Sequence, residues 1–126
     1  MLGQSEVIAC VGTSQPERAK VFYRDVLGLR LIEDAWWAIV FDAGGTRLHI
    51  EKPQEKFTPA PFTALGWRVP NIEELVDALA KRGVSFERPP GLQLDNKGIW
   101  TTPDGVAKVC WFKDPDGNLL SLSQFP

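Results

Sequence analysis

The chain of 126 residues contains one histidine, His49, in the segment TRLHIEKP at residues 46–53. Glu51 follows it by two positions, and side chains two apart on a β-strand point to the same face of the sheet. Imidazole and carboxylate groups are common ligands of divalent metal ions, and imidazole is also the usual general base at neutral pH. The segment therefore raises two questions: whether His49 binds a metal, and which elements position it.

Two segments have the capping residues and apolar spacing of amphipathic helices. In the first, Ser14 with Glu17 predicts a capping box, and Gly28 predicts the end of the helix. In the second, Asn71 predicts the N-cap and Gly83 the end. Each helix is preceded by one apolar, strand-like run and followed by three more. The order β-α-β-β-β therefore occurs twice.

This order predicts an α+β fold built from two modules, at residues of about 5–52 and 62–125, with a linker at about 53–61. The predicted strands of the first module are VIACV, LRLIED, WWAIVF and TRLHIE, and those of the second are FTALGWRV, VSFER, VAKVCWF and NLLSLSQ. An insertion at residues 89–105 separates the second and third strands of the second module. Long insertions of this kind are typical of functional loops, so we expect Trp100 within it to stack on a ligand as part of a lid.

Alternation along TRLHIE places Leu48 and Ile50 on the side that packs against the helix, and His49 on the opposite side. Matching the turn glycines of the two modules, Gly45 and Gly117, sets Ser121 at the position equivalent to His49. The pattern therefore predicts that the two modules present His49 and Ser121 at related positions of one cavity.

The repeated order, the segment FYRDVLGL and the segment FKDPDGNLLSLSQ resemble the vicinal oxygen chelate superfamily, which includes glyoxalase I, extradiol dioxygenases and bleomycin-resistance proteins. The resemblance covers essentially the whole chain. It implies two modules whose curled mixed sheet surrounds a ligand cavity, usually in a homodimer. It also implies that a metal, where present, is held by one side chain from the first and last strand of each module.

On that implied pattern, His49 and Ser121 occupy the last-strand positions, and Ile8 and Ala64 or their neighbours occupy the first-strand positions. Residues 7–11 and 63–69 contain no histidine, aspartate or glutamate. A divalent ion needs three or more protein ligands to bind usefully. We therefore predict no metal and no other cofactor.

Other chemistry stays open at this point. His49 could act as a general base in a lyase or isomerase, could pair with Ser121, or could ligate a metal in a dioxygenase-type site. Arg68 shares a strand face with Ala64 and Gly66, which leaves room for an anionic or planar group at its guanidinium. The candidate ligand-binding set is His49, Arg68, Trp100 and Ser121, with His49 the best catalytic candidate.

Composition excludes several classes of protein. The net charge is −2 and no more than two Lys or Arg residues are adjacent, so neither nucleic acid nor a membrane is an expected partner. The first ten residues do not resemble a signal peptide, and we expect a cytoplasmic protein. Cys10 and Cys110 lie in apolar runs and are predicted to be buried, unpaired thiols.

These observations favour a metal-independent homodimer that binds a small organic ligand, aromatic or anionic, as the bleomycin-resistance branch does. Two alternatives remain: an enzyme that uses His49 as base or metal ligand, and a non-catalytic structural or regulatory dimer.

Overall fold

The computed structural model describes residues 1–53 and 57–126, and the chain divides into two compact units, Met1–Pro59 and Ala60–Pro126. Each unit contains one four-stranded mixed sheet and one principal helix, which confirms the predicted α+β class. Part of the predicted linker, residues 54–56, lies outside the described residues.

The first unit has the sheet order β1-β4-β3-β2, in which β1 and β4 are parallel and the other neighbours antiparallel. A short 3-10 turn, Leu2–Gln4, precedes the sheet. The elements are β1 (Ile8–Gly12), α1 (Pro16–Val21, continued by a π-helix over Phe22–Val26), β2 (Arg30–Asp34), β3 (Ala38–Ala43) and β4 (Thr46–Glu51).

The predicted capping box of Ser14 and Glu17 is wrong in its position. The N-cap of α1 is Gln15, and its side chain makes no capping hydrogen bond. Pro16 is the first helical residue, and a residue that precedes proline is driven out of the helical region, so the cap moves next to the proline. The Thr13 hydroxyl accepts a hydrogen bond from the Gln15 N–H at 3.0 Å.

The second unit has the order β5-β8-β7-β6, again with its first pair parallel. Its elements are β5 (Thr63–Arg68), α2 (Ile72–Lys81), β6 (Trp100–Thr101), β7 (Lys108–Lys113) and β8 (Leu119–Gln124). In the described part of the chain, no helix is long and apolar enough to cross a membrane.

Helix α2 begins as the sequence predicts. The Asn71 side chain accepts a hydrogen bond from the Glu74 N–H. A second cap comes from the end of β8, where Gln124 Oε1 accepts from the Ile72 N–H at 2.8 Å. Gly83 follows with a positive φ of 93°, a conformation that glycine adopts without strain and that commonly ends a helix.

The predicted strand VSFER is wrong. It is reduced to an isolated bridge between Phe86 and Phe112 and one hydrogen bond from the Glu87 N–H to the Trp111 carbonyl at 2.8 Å. Pro89 and Pro90 follow at once, and proline has no N–H to donate to a sheet, so the strand cannot continue. The rest of the edge position is filled from the insertion, which supplies β6.

The two sheets bury equivalent side chains. In the first, Phe41 pairs with Leu48, and in the second Phe112 pairs with Leu120. All four residues are fully buried. This buried side fixes the register of each sheet, because a slip of one residue would expose it. The same register determines which residues point to the opposite, open side of each sheet.

Candidate functional site

The open side of the second sheet carries a row of four residues that crosses all its strands. Arg68 pairs with Ser123, Ser123 with Val109, and Val109 with Trp100. Residues paired across strands point to the same side of a sheet. A shorter parallel row is formed in the same way by Gly66, Ser121 and Trp111. We call these seven residues the second-sheet face.

One end of the second-sheet face is aromatic. The rings of Trp100 and Trp111 lie 6.3 Å apart between centroids and are tilted by 34°. Both residues are half-buried. Trp100 also lines a cavity of about 640 Å³ formed by residues 91–95 with Ile99, Thr101 and Pro103. The prediction that Trp100 belongs to a lid is wrong, because it is a strand residue of β6.

The other end of the face is cationic. The Arg68 guanidinium lies 5.3 Å from the ring centroid of Phe125, a cation–π contact, and Arg68 is exposed. Among the described residues, no carboxylate forms an ion pair with it. By contrast Lys113, which shares this side of β7 with Trp111, pairs with Glu87 at 3.5 Å. Arg68 is therefore the cation that this side of the sheet offers to a ligand.

Next to Arg68 on β5, the face has no side chain at Gly66. A Cβ atom added at Gly66 would lie 2.6 Å from Ser121 Oγ, so the serine hydroxyl occupies the space that a side chain at Gly66 would need. Ser121 itself is buried, with 8% of its surface exposed. Gly66 and Ser121 are therefore small residues of the face next to Arg68.

His49 lies on the open side of the first sheet, and its neighbours there are Cys10 on β1 and Val40 on β3. Leu48 and Ile50 are fully buried on the other side, which confirms the predicted alternation. The Trp37 ring meets the imidazole edge-on at 5.1 Å. His49 and Ser121 occupy equivalent positions of their sheets, since each lies between a parallel first strand and an antiparallel third strand.

The prediction that both cysteines are buried is half wrong. Cys110 is fully buried, and its burial raises the pKa of the thiol to about 12. Cys10 is exposed, because it lies on the open side of the edge strand β1. Desolvation, and then the negative charge of Glu51, raise the pKa of the Cys10 thiol, so it stays neutral and a poor nucleophile at neutral pH.

The sequence matches the family model described as Glyoxalase/Bleomycin resistance protein/Dioxygenase superfamily over residues 7–122. The chain belongs to this superfamily. The resemblance seen in its motifs is thus confirmed, and so is the glyoxalase/bleomycin-resistance fold. No curated protein sequence matches the chain.

Several solved structures agree with this fold. The antibiotic binding protein TnmS3 from Streptomyces sp. CB03234 has 23% identity and a TM-score of 0.76, covering 100% of this chain and 99% of that one. Lactoylglutathione lyase from Agrobacterium tumefaciens has 17% identity and a TM-score of 0.74, with 96% and 93% covered. A superfamily member from Sphaerobacter thermophilus DSM 20745 has 22% identity and a TM-score of 0.75, with 98% and 99% covered. At these identities the likeness shows the fold alone.

The donor set does not fit the metal arrangement expected from the superfamily resemblance. Within residues 1–53 and 57–126, no group of three or more His, Cys, Asp or Glu side chains is placed to hold an ion. The first-strand positions Ile8 and Ala64 carry no ligating side chain. Of their neighbours that pair with His49 and Ser121, Cys10 carries a thiol and Gly66 has no side chain. Ser121 carries neither an imidazole nor a carboxylate. We therefore derive no chemistry through a metal.

Sequence reasoning missed three residues beside the predicted site. Trp111 pairs with Ser121, Ser123 pairs with Arg68, and Phe125 lies under the Arg68 guanidinium. The alternation in VAKVCWF, with Cys110 and Phe112 buried, would have placed Trp111 on the open side. Of the predicted set, the structure places Arg68, Trp100 and Ser121 on one face. His49 lies in the other unit.

Proposed function

We propose that this protein binds a small organic ligand on the second-sheet face, without a metal ion and without converting it chemically. The observation that carries this proposal is a single sheet face with an aromatic pair at one end and an unpaired guanidinium, among the described residues, at the other. Aromatic side chains with a few placed polar groups are typical of small-molecule sites. The common fold with an antibiotic binding protein supports a binding role.

The surroundings of His49 support the metal-free part of the proposal. Its neighbours across the strands are a thiol whose pKa is raised and the apolar Val40. A divalent ion at His49 would leave most of its coordination positions without protein ligands. His49 remains a candidate to contact a ligand, and a loss of affinity for 2-naphthoate in the His49→Ala variant, measured by calorimetric titration, would support that role.

Metal content gives the first experiment. Untagged protein incubated with Zn, Mn, Ni and Fe(II) and then desalted should retain far less than one metal per chain by elemental analysis. The His49→Ala variant is the matched control. About one metal per chain in the wild type, lost in His49→Ala, would overturn the proposal in favour of a metal-dependent enzyme.

Ligand binding gives the second experiment. Calorimetric titration with planar aromatic carboxylates, beginning with 2-naphthoate, should show binding that Trp100→Ala weakens about 5- to 10-fold, since one aromatic contact is worth about 1–1.5 kcal/mol. Trp36→Ala is the control, because Trp36 is 80% exposed and lies in the first unit. Equal losses in the two variants would contradict a site at Trp100.

We also propose that the protein is a homodimer. The support is a set of large apolar side chains left exposed by the two units: Val7 at 73%, Ile8 at 53% and Phe62 at 66%. Exposed apolar surface of this kind is typical of interfaces between proteins. Light scattering after size-exclusion chromatography should give twice the chain mass of 14.0 kDa. The monomer mass at all micromolar concentrations would contradict the dimer.

A further inference from the structure

We propose that the ligand has two poles: an aromatic group that packs on Trp100 and Trp111, and a carboxylate or sulfonate that pairs with Arg68, joined by an extended linker. This inference rests on the proposed function and adds the class and the length of the ligand. It comes from the order of residues along the row that crosses the second sheet.

The length of the ligand follows from the spacing of the strands. Arg68 on β5 and Trp100 on β6 are the two ends of one row, so three strand-to-strand steps separate them. Neighbouring strands lie about 4.8 Å apart, which puts the two backbone positions roughly 14 Å apart. Because both side chains are long, the two binding groups can meet a ligand somewhat shorter than this distance.

The middle of the row accommodates a linker. Ser123 and Val109 lie between the two poles, and their side chains are shorter than those of Arg68 and Trp100. The surface over these residues is therefore lower than at either end. Val109 offers apolar contact and Ser123 a hydroxyl, so a mainly aliphatic chain fits this stretch.

The anionic pole follows from the surroundings of Arg68. The Phe125 ring at 5.3 Å holds the guanidinium without neutralising its charge. A guanidinium binds carboxylate or sulfonate through two parallel N–H donors, which a neutral group cannot match. On the same side of the sheet the Lys113 charge is already paired with Glu87. Arg68 is therefore the group that selects an anion.

The aromatic pole follows from the geometry of the two indoles. Their tilt of 34° at 6.3 Å between centroids presents neighbouring π-faces rather than a closed stack. Offset or edge-on contact with a third ring suits this arrangement. Each indole is only half-buried, so ring surface remains for a ligand.

The test compares 6-phenylhexanoate with its neutral amide, and both with phenylacetate, by isothermal titration calorimetry. In the wild type the long acid should bind about ten times more tightly than the amide, the ratio expected for one charge-assisted contact, and more tightly than the short acid. Arg68→Met should remove the difference between acid and amide, while Arg68→Lys should keep part of it. Arg82→Met is the matched control, since Arg82 is an exposed arginine at the end of α2.

Salt gives an independent readout. Raising NaCl from 0.05 to 0.5 M should lower the affinity for the acid several-fold and leave the affinity for the amide unchanged, because salt screens exposed charge pairs. The outcomes separate this inference from the function on which it rests. Equal affinity of acid and amide, or equal losses in Arg68→Met and Arg82→Met, would overturn the two-pole ligand while aromatic binding stands. If neither these compounds nor 2-naphthoate bind, the proposed function fails and the inference falls with it.

Discussion

The two sheets of this protein are alike on their buried sides and different on their open sides. On the buried side, Phe41 and Leu48 of the first sheet correspond to Phe112 and Leu120 of the second. On the open side, the equivalent position on the last strand is His49 in the first sheet and Ser121 in the second. Close packing restricts the buried side to side chains that fill it without cavities, whereas side chains on the open side can differ between the two sheets.

The neighbours of that position differ as well. In the first sheet they are Cys10 and Val40, and in the second Gly66 and Trp111. In the first sheet the imidazole thus lies between a thiol and an apolar side chain. The second gathers small and aromatic residues beside a guanidinium. This difference supports the proposal that a ligand binds on the second-sheet face. Among the described residues of the first unit, no group of three or more His, Cys, Asp or Glu side chains is placed to hold a metal ion.

The largest expected effect tests the likeness of the buried sides. Phe41→Ala and Phe112→Ala should each lower the free energy of unfolding by about 3–5 kcal/mol, because each removes a fully buried ring and leaves a cavity. Urea denaturation measures both. A loss below about 1 kcal/mol at either position would break the equivalence of the two cores.

The reactivities of the two thiols provide a second comparison between an open side and a buried side. With N-ethylmaleimide at pH 7.5, Cys10 should react in the native protein. Cys110 should react at least about 100-fold more slowly, because its labelling requires local unfolding. Mass spectrometry of Cys10→Ala and Cys110→Ala assigns the two rates. Similar rates for the two thiols would contradict the placement of Cys110 in the core.

Alkaline pH tests the same burial by a different route. The folded state raises the Cys110 pKa from 9.0 to about 12, so the unfolded chain loses this proton at lower pH than the folded chain. The stabilising contribution is complete below pH 9 and is lost as pH rises towards 12, by up to about 1.4 kcal/mol per pH unit. Stability measured across this range should fall more steeply in the wild type than in Cys110→Ala. Parallel curves would exclude the buried thiol as the cause.

The smallest effect distinguishes the two helices. Asn71→Ala should cost about 1 kcal/mol, because it removes the side-chain cap of α2. Gln15→Ala should change the free energy of unfolding by less than about 0.5 kcal/mol, because the Gln15 side chain makes no capping bond to α1. Thermal unfolding of the two variants measures the difference. A cost at Gln15 equal to that at Asn71 would show that α1 is capped in another way.

Local pattern predicted much of this fold. The alternation of TRLHIE gave the correct faces because one side of that strand is buried, and Asn71 with Glu74 gave the correct start of α2. The start of α1 was missed because Pro16 outweighs the cap signal at Ser14.

The remaining errors depend on sheet topology, which local pattern does not contain. The run VIACV is apolar at every position, so nothing in it shows that β1 is an edge strand that exposes Cys10. The place of Trp100 in a strand depends on pairing with Val109 across the chain. Arg68, Trp100 and Ser121 were proposed from the sequence, whereas Trp111 and Ser123 were missed, because the arrangement of these residues in rows depends on the register of the sheet.

Ligand binding at the second-sheet face is tested most directly by following the five indole N–H signals in a two-dimensional ¹H–¹⁵N spectrum during titration with 6-phenylhexanoate in EDTA. Trp-to-Phe variants assign the signals. Binding at the second-sheet face predicts saturable shifts of Trp100 and Trp111, with Trp36 unchanged. Saturable shifts confined to other tryptophans, or shifts that appear only when a divalent metal replaces EDTA, would contradict it.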